Sequence, residues 1–353
     1  MREFDESDVR IRPRRGGTKP RSKRRPEHAE AQWGTVTTID RGRYDVLLPQ
    51  GGVRAVTARE LGRGAVVVGD RVAVVGDTSG RAGTLARIVR VAERTSLLRR
   101  TSEDTGGVER ALVANADQMV IVTALADPTP RTRMVDRCLV AAYDAGMDAL
   151  LCLTKADLAP PADFLANYEP LGVRWVSSAR TDGEITGLTA LREALADRTS
   201  VLVGHSGVGK STLVNALVPN ASRRVGDVNA VTGRGRHTST SALLLELPGG
   251  GWVIDTPGVR SFGLAHVEVA DVVGAFGDLA EITTACPPGC THLSDAPGCA
   301  LTVYLRTATP LGADRVASLR RLLASRSGES VSDTPAMPHA PIPGAGTPPE
   351  GTA

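Results

Sequence analysis

The stretch Gly204-His205-Ser206-Gly207-Val208-Gly209-Lys210-Ser211 constrains this chain more than any other. It fits G-x-x-x-x-G-K-[ST] and lies between an apolar strand, "SVLV", and a helical pattern, "STLVNAL". The glycines of such a loop let successive backbone N–H groups turn inward around a β-phosphate at a helix N-terminus. Lys210 then meets the β- and γ-phosphates, Ser211 ligates Mg2+, and the loop runs on into the helix at Thr212. Strands and helices alternate around it, from "QMVIVTAL" to "GGWVIDTPG", which predicts a mostly parallel sheet.

Three further motifs belong to the same chemistry. Asp255-Thr256-Pro257-Gly258 ends a strand, where Asp255 can hold Mg2+ through water and the Gly258 N–H can bond a γ-phosphate. Thr154-Lys155-Ala156-Asp157 ends the apolar run "DALLCLT". A carboxylate at Asp157 would accept hydrogen bonds from N1–H and the N2 amine of guanine, which adenine does not offer, while the Lys155 stem covers the ring face. Thr154 stands where the usual motif has Asn, so one amide contact is lost and lower nucleotide affinity is expected. Ser178 and Ala179, ending the next strand, fit the loop whose backbone meets the guanine carbonyl. The base reader thus precedes the phosphate loop, a circular permutation of the usual order. A fold tolerates this when the same strands keep their sheet positions and only the termini move.

The segment "VTGRGRHTSTSALLL" falls where a first switch belongs, and Thr238 or Thr240 would complete Mg2+ coordination. The position after Gly258, where many switch GTPases carry a water-orienting Gln, is Val259, so His237 in the switch is the candidate for that role. Val259 also supports an alternative, a nucleotide-gated RNA-binding or chaperone-like module in which hydrolysis is incidental. An ATP-using P-loop enzyme is the third reading, and Asp157 argues against it.

The 353 residues exceed one ordinary domain. Residues 1–31 are charged and poor in large apolar residues, and between Arg10 and Arg25 the basic residues have no acidic neighbour, as suits a polyanion. This arm and the Pro- and Gly-rich tail, 327–353, are expected to be disordered. Residues 32–95 show five short alternating segments, predicting an OB-type β-barrel with Trp33 and Tyr44 as stacking aromatics beside Arg41, Arg43, Arg54, Arg59, Arg63 and Arg71. An Arg-rich bridge, "RTSLLRRTSEDTGGVER", leads into the permuted nucleotide domain, 96–264. A helical module, 265–326, carries Cys286-x3-Cys290-x-His292-x6-Cys299, three thiols and an imidazole suited to a closed tetrahedral Zn2+ site. Five cysteines in all, with three of them here, point to reduced thiols and a metal rather than a disulfide framework. No apolar stretch reaches transmembrane length and the N-terminus lacks a secretory hydrophobic region, so a cytoplasmic monomer without a membrane partner is expected.

Taken together, "VANADQMVIVTA", "GHSGVGKSTLVNAL", "GRGRHTST", "DTPGVRSFGL" and "CTHLSDAPGCAL" resemble the RsgA (YjeQ) family of circularly permuted GTPases from Trp33 to near Arg326. The order of barrel, permuted GTPase and zinc module carries the resemblance more than any one motif. It implies a GTP hydrolase that binds the small ribosomal subunit and its rRNA late in assembly through the barrel and the zinc module. Hydrolysis to GDP would be stimulated by the subunit and followed by release.

Overall fold

The computed structural model describes residues 28–62, 64–101, 109–219, 242–256, 264 and 267–327. His237, Thr238, Thr240, Gly258, Val259 and Arg63, together with residues 1–27 of the basic arm and 328–353 of the C-terminal tail, lie outside the described residues.

Five strands, β1 (Gln32–Asp40), β2 (Arg43–Leu48), β3 (Gly51–Thr57), β4 (Arg71–Gly76) and β5 (Ala86–Val91), run in the order β1-β2-β3-β5-β4, and pairing of β1 with β4 closes them into a barrel. Alternation decides what goes inside: in β2, Tyr44, Val46 and Leu48 point inward while Arg43 and Leu47 point out. Tyr44 is therefore core, 5% exposed, and the expectation that it offers a stacking ring is wrong. It packs with Val36, Val46, Val53, Val72, Val74 and Ile88 in a cluster of the barrel's own. The predicted strand "VVVGDRVAVVGD" is interrupted: Gly69, at φ +89°, turns the chain and β4 begins only at Arg71. In that turn Asp70 is fully buried, accepting from the Val67 N–H at 2.8 Å and from Arg94 at 2.7 and 2.8 Å.

The Arg-rich bridge is a hairpin rather than a plain connection. β6 (Leu97–Thr101) pairs with β7 (Glu109–Ala114), burying Leu98 and Val113. The Ala114 N–H bonds the Val68 carbonyl at 3.0 Å, so the hairpin fastens the barrel to the nucleotide domain.

Next come β8 (Gln118–Ala124), α1 (Thr132–Asp144), β9 (Asp148–Thr154), α2 (Ala162–Leu165), a 3-10 turn at Glu169–Leu171 and β10 (Arg174–Ser177). A small hairpin, β11 (Ala179–Thr181) with β12 (Glu184–Thr186), precedes α3 (Leu188–Leu195), β13 (Thr199–Gly204) and α4 (Lys210–Leu217). The antiparallel pair β14 (Leu243–Glu246) and β15 (Trp252–Asp255) ends the domain's strands. The order is β10-β9-β8-β13-β15-β14, and β10, β9, β8, β13 and β15 are parallel. Every residue of β8 is buried, as expected for a central strand covered on both faces. At Thr38 opposite Leu243, β1 pairs with β14, so one continuous sheet joins barrel and nucleotide domain.

Four helices complete the described chain: α5 (Val269–Gly274), α6 (Gly277–Thr283), α7 (Ala300–Tyr304) and α8 (Pro310–Ser327). A capping box between Glu268 and Asp271 starts α5. The long helix α8 lies against α1 and the 3-10 turn. Arg321 donates to Asp136 of α1 at 3.0 Å and to the Asn167 carbonyl at 2.9 Å, and Arg315 donates to the Pro170 carbonyl at 2.6 Å.

Candidate nucleotide site and metal centre

Because the flanking strands are parallel to β13, the loops after β9, β10, β13 and β15 leave the same edge of the sheet. Ligands of open α/β sheets bind at that carboxyl edge. Thr154, Ser178, Gly204 and Asp255 stand there, two on the base-reading side of β13, one at its end, and one on the far side.

The loop after β13 turns through Gly207 and Gly209, and Gly209 at φ +92° occupies the left-handed region that admits α4 directly behind it. Gly204 and Val208 are buried, His205, Gly209 and Lys210 are half-buried, and Ser206, Gly207, Ser211 and Thr212 are exposed along the mouth. The His205 ring nitrogen Nδ1 lies 2.9 Å from the Ser206 carbonyl. Lys210 donates to Asp255 at 2.6 Å and to the Thr256 carbonyl at 3.0 Å. The side chains expected to hold the β- and γ-phosphates and the Mg2+ water are thereby next to each other. Thr256, not singled out by the sequence, is buried and its hydroxyl donates to the Leu202 carbonyl at 2.7 Å, tying the β15 loop to β13.

Thr154 does more than the sequence reading assigned to it. It is buried, and its hydroxyl lies 2.6 Å from the Val208 carbonyl inside the phosphate loop. The short side chain at this position thus ties the loop after β9 to the loop after β13. Lys155 adopts φ +58° and its ammonium donates to the Asp127 carbonyl, which holds the stem across the base side of the edge. The Ala156 N–H bonds the Ser178 carbonyl at 3.1 Å and the Ser178 N–H bonds Leu153 at 2.8 Å, so base motif and base loop are laced by backbone. Asp157 is exposed, with Oδ1 accepting from the Arg180 N–H at 2.9 Å.

Sequence reasoning missed the hairpin β11–β12, which orients that amide, and missed Gly187 behind it. Gly187 sits at φ +81°, and a Cβ there would run into the Ser177 carbonyl oxygen, displacing the base loop. The available signal was a glycine placed between "SSA" and the helix "LTALREAL".

In the helical module, one ligand atom from each of Cys286, Cys290, His292 and Cys299 falls within a sphere where all lie within 4.8 Å of one another. The Cys286 and Cys299 sulfurs are 3.5 and 3.9 Å from His292 Nδ1. Bond lengths of about 2.3 Å to sulfur and 2.0 Å to nitrogen give tetrahedral edges of roughly 3.5–3.8 Å. The donor set therefore fits a closed four-coordinate metal site. Burial disfavours the Cys299 thiolate, yet hydrogen bonds from His292 and from the Thr302 and Leu301 amides outweigh it and bring the thiol down to about 6. Burial raises Cys290. The Ala300 N–H donates to Cys286 Sγ at 3.2 Å, and Arg320 of α8 donates to the His292 carbonyl at 3.1 Å, fixing the loop from outside.

These strands and loops define a P-loop GTPase domain in circularly permuted order, preceded by a β-barrel and followed by a cysteine- and histidine-bearing module. The RsgA GTPase family model matches residues 91–265. A Pseudomonas aeruginosa protein named "Small ribosomal subunit biogenesis GTPase RsgA" is 41% identical over 268 residues, covering 74% of this chain and 76% of that one. The Azotobacter vinelandii protein of the same name is 40% identical over 268 residues, with 74% and 75% covered. The chain belongs to the RsgA family. Among solved structures, YjeQ from Thermotoga maritima superposes with a TM-score of 0.61 at 24% identity, covering 85% of this chain and 100% of that one. YloQ, described as a circularly permuted GTPase, gives 0.58 at 23%, covering 86% and 98%. These two likenesses speak to the fold. Among the described residues no helix is long and apolar enough to cross a membrane.

Proposed function

We infer that this chain is a GTP hydrolase that binds the small ribosomal subunit, assists its late maturation, turns over GTP faster on the subunit, and leaves after hydrolysis. One observation carries the reading: base motif, base loop, phosphate loop and Asp255 share one sheet edge, with Thr154 bonded to Val208 across the two halves. In this reading Asp157 selects guanine, with its carboxylate aimed by the Arg180 amide. Gly204 to Thr212 wrap the phosphates, and Lys210 exchanges Asp255 for β- and γ-oxygens. Mg2+ bound by Ser211 and Thr238, with Asp255 through water, would neutralise charge on those phosphates. His237 would orient the attacking water from the switch, and Gly258 would register the γ-phosphate. Zn2+ at Cys286, Cys290, His292 and Cys299 would hold the C-terminal module, which with the barrel meets rRNA.

The test is GTP and ATP hydrolysis by the purified protein, with and without small or large ribosomal subunits, at two salt concentrations. Stimulation specific to GTP and the small subunit, lost at high salt, is expected. Slow turnover unchanged by either subunit would sink the coupled reading. Asp157→Asn should cost guanine binding about 1.5–3 kcal/mol, roughly 10- to 150-fold. A His237→Ala protein with full stimulated turnover would remove the role given to that residue.

A further inference from the structure

The sheet order β10-β9-β8-β13 puts β8 between the two halves of the nucleotide edge. β8 is parallel to both neighbours, so the loop that follows it, residues 125–131, leaves the same carboxyl edge between the base motif after β9 and the phosphate loop after β13. Neither base reading nor phosphate binding uses the side chains of this loop. A nucleotide is joined in the order base, sugar, phosphate, and the loops stand in the order β9, β8, β13. The sugar is therefore the part that crosses residues 125–131.

Contacts fasten the loop on both sides. The Leu125 N–H bonds the Thr154 carbonyl at 2.9 Å, and the Lys155 ammonium donates to the Asp127 carbonyl. Toward β13, a Cβ added to Gly207 of the phosphate loop would lie 3.7 Å from Pro128 Cδ, so the proline stands beside that glycine. Between these anchors the Asp127 side chain is 93% exposed, with Oδ2 4.0 Å from the Lys155 ammonium. Its backbone, at φ +41°, lies in the left-handed region that Asp and Asn enter more readily than other side chains.

Charge decides which part of a nucleotide such a group can meet. A phosphate is repelled by the carboxylate, and a divalent cation is repelled by the ammonium 4.0 Å away. Neutral hydroxyls suffer neither penalty. An ionised carboxylate only accepts, and its two oxygens can take a hydrogen bond from each of two adjacent hydroxyls. The same pairing of acid and ribose serves dinucleotide-binding α/β sheets.

We propose that Asp127 reads the ribose of the bound guanine nucleotide, its carboxylate accepting from the 2′- and 3′-hydroxyls, and so sets a preference for ribonucleotides over 2′-deoxyribonucleotides. The proposal rests on the reading of this edge as a GTP site and adds recognition of the sugar to it. Lys155 then has two tasks: its stem covers the base, while its head holds the backbone of the Asp127 loop.

The test is calorimetric titration of the full chain with GDP, 2′-deoxyGDP and ADP in the presence of Mg2+, for the unaltered protein, Asp127→Asn and Asp127→Gly. Both substitutions suit the left-handed backbone, so the loop keeps its course. The unaltered protein should bind 2′-deoxyGDP about 5- to 10-fold more weakly than GDP, the loss of one hydrogen bond at an exposed site. Asp127→Gly should weaken GDP binding and bring the two ligands within about 2-fold of each other. Asp127→Asn, which keeps one acceptor oxygen, should fall between. A residue that merely holds the loop would weaken both ligands in equal proportion and leave their ratio as in the parent, and that result overturns the proposal. Equal binding of GDP and 2′-deoxyGDP by the unaltered protein overturns it too. Preference for ADP over GDP, or no nucleotide binding at all, would sink the GTPase reading and this contact with it. Guanine preference with a ribose ratio indifferent to the residue at position 127 removes this contact alone.

Discussion

The barrel and the C-terminal module flank the same GTPase domain and are held together in opposite ways. The barrel encloses a core cluster of its own, to which Val36, Val46, Val72, Val74 and Ile88 belong. The module has none: Val272, Phe276, Leu301, Leu319 and Leu322 belong to the cluster that also contains Val135 and Leu139 of α1. Its short helices, of five to seven residues before α8, bury too little surface to stand alone. A closed sheet satisfies its own backbone and core, whereas the module gathers its cysteines and histidine in one loop and docks on α1.

The largest test of that contrast is the metal. Structural Zn2+ contributes on the order of 10 kcal/mol to small modules. Chelation, or Cys290→Ser, should expose residues 267–327 to protease while barrel fragments stay protected; equal protection of both would break the comparison. The dock comes next. Asp136 is 3% exposed on α1, where burial raises its carboxyl and Arg321 opposes that shift. Arg321→Leu leaves this buried carboxyl without its cation, with Tyr168 as its remaining donor, and should cost about 3 kcal/mol, loosening the module in hydrogen exchange before the barrel responds. In the barrel, Arg94→Leu leaves Asp70 with the Val67 amide as its donor and should cost about 3 kcal/mol, read as earlier opening of the Val67–Asp70 turn. A module that loosened with it would show that the two regions share one cooperative unit. Smallest of all, Ile88→Val removes one methylene from a fully buried site, about 1 kcal/mol by denaturant midpoint, with no change in the module.

Much of the candidate nucleotide edge was legible because the chemistry proposed for it is local. A phosphate loop needs its glycines and lysine at fixed spacing, and "GHSGVGKS" states them in one run. The permutation was equally legible, since it is a property of motif order alone. What the sequence concealed depends on pairing between distant segments. The hydroxyl of Thr154 reaches Val208 only because β9 and β13 both flank β8, and the Arg180 amide meets Asp157 only because a hairpin folds behind the base loop. The β6–β7 hairpin was hidden for a related reason: its residues alternate weakly, and its partner, the turn at Val68, lies in the barrel.

Tyr44 marks the boundary between the two kinds of knowledge. Composition makes it one of few aromatics in the barrel and so a natural stacking ring, yet register places it inward with Val46 and Leu48 and leaves Trp33 as the outward one. The sequence alone determined the reagents: the glycine-rich loop with its lysine, the carboxylate proposed to read guanine, the three thiols with their imidazole, and the order in which they come. Only the tertiary structure decided which face of each strand looks outward, which donors fix those reagents, and which parts of the chain own a core. Such choices follow from register and closure, where a shift of one residue exchanges the buried and exposed sets. No local stretch of chain contains that information.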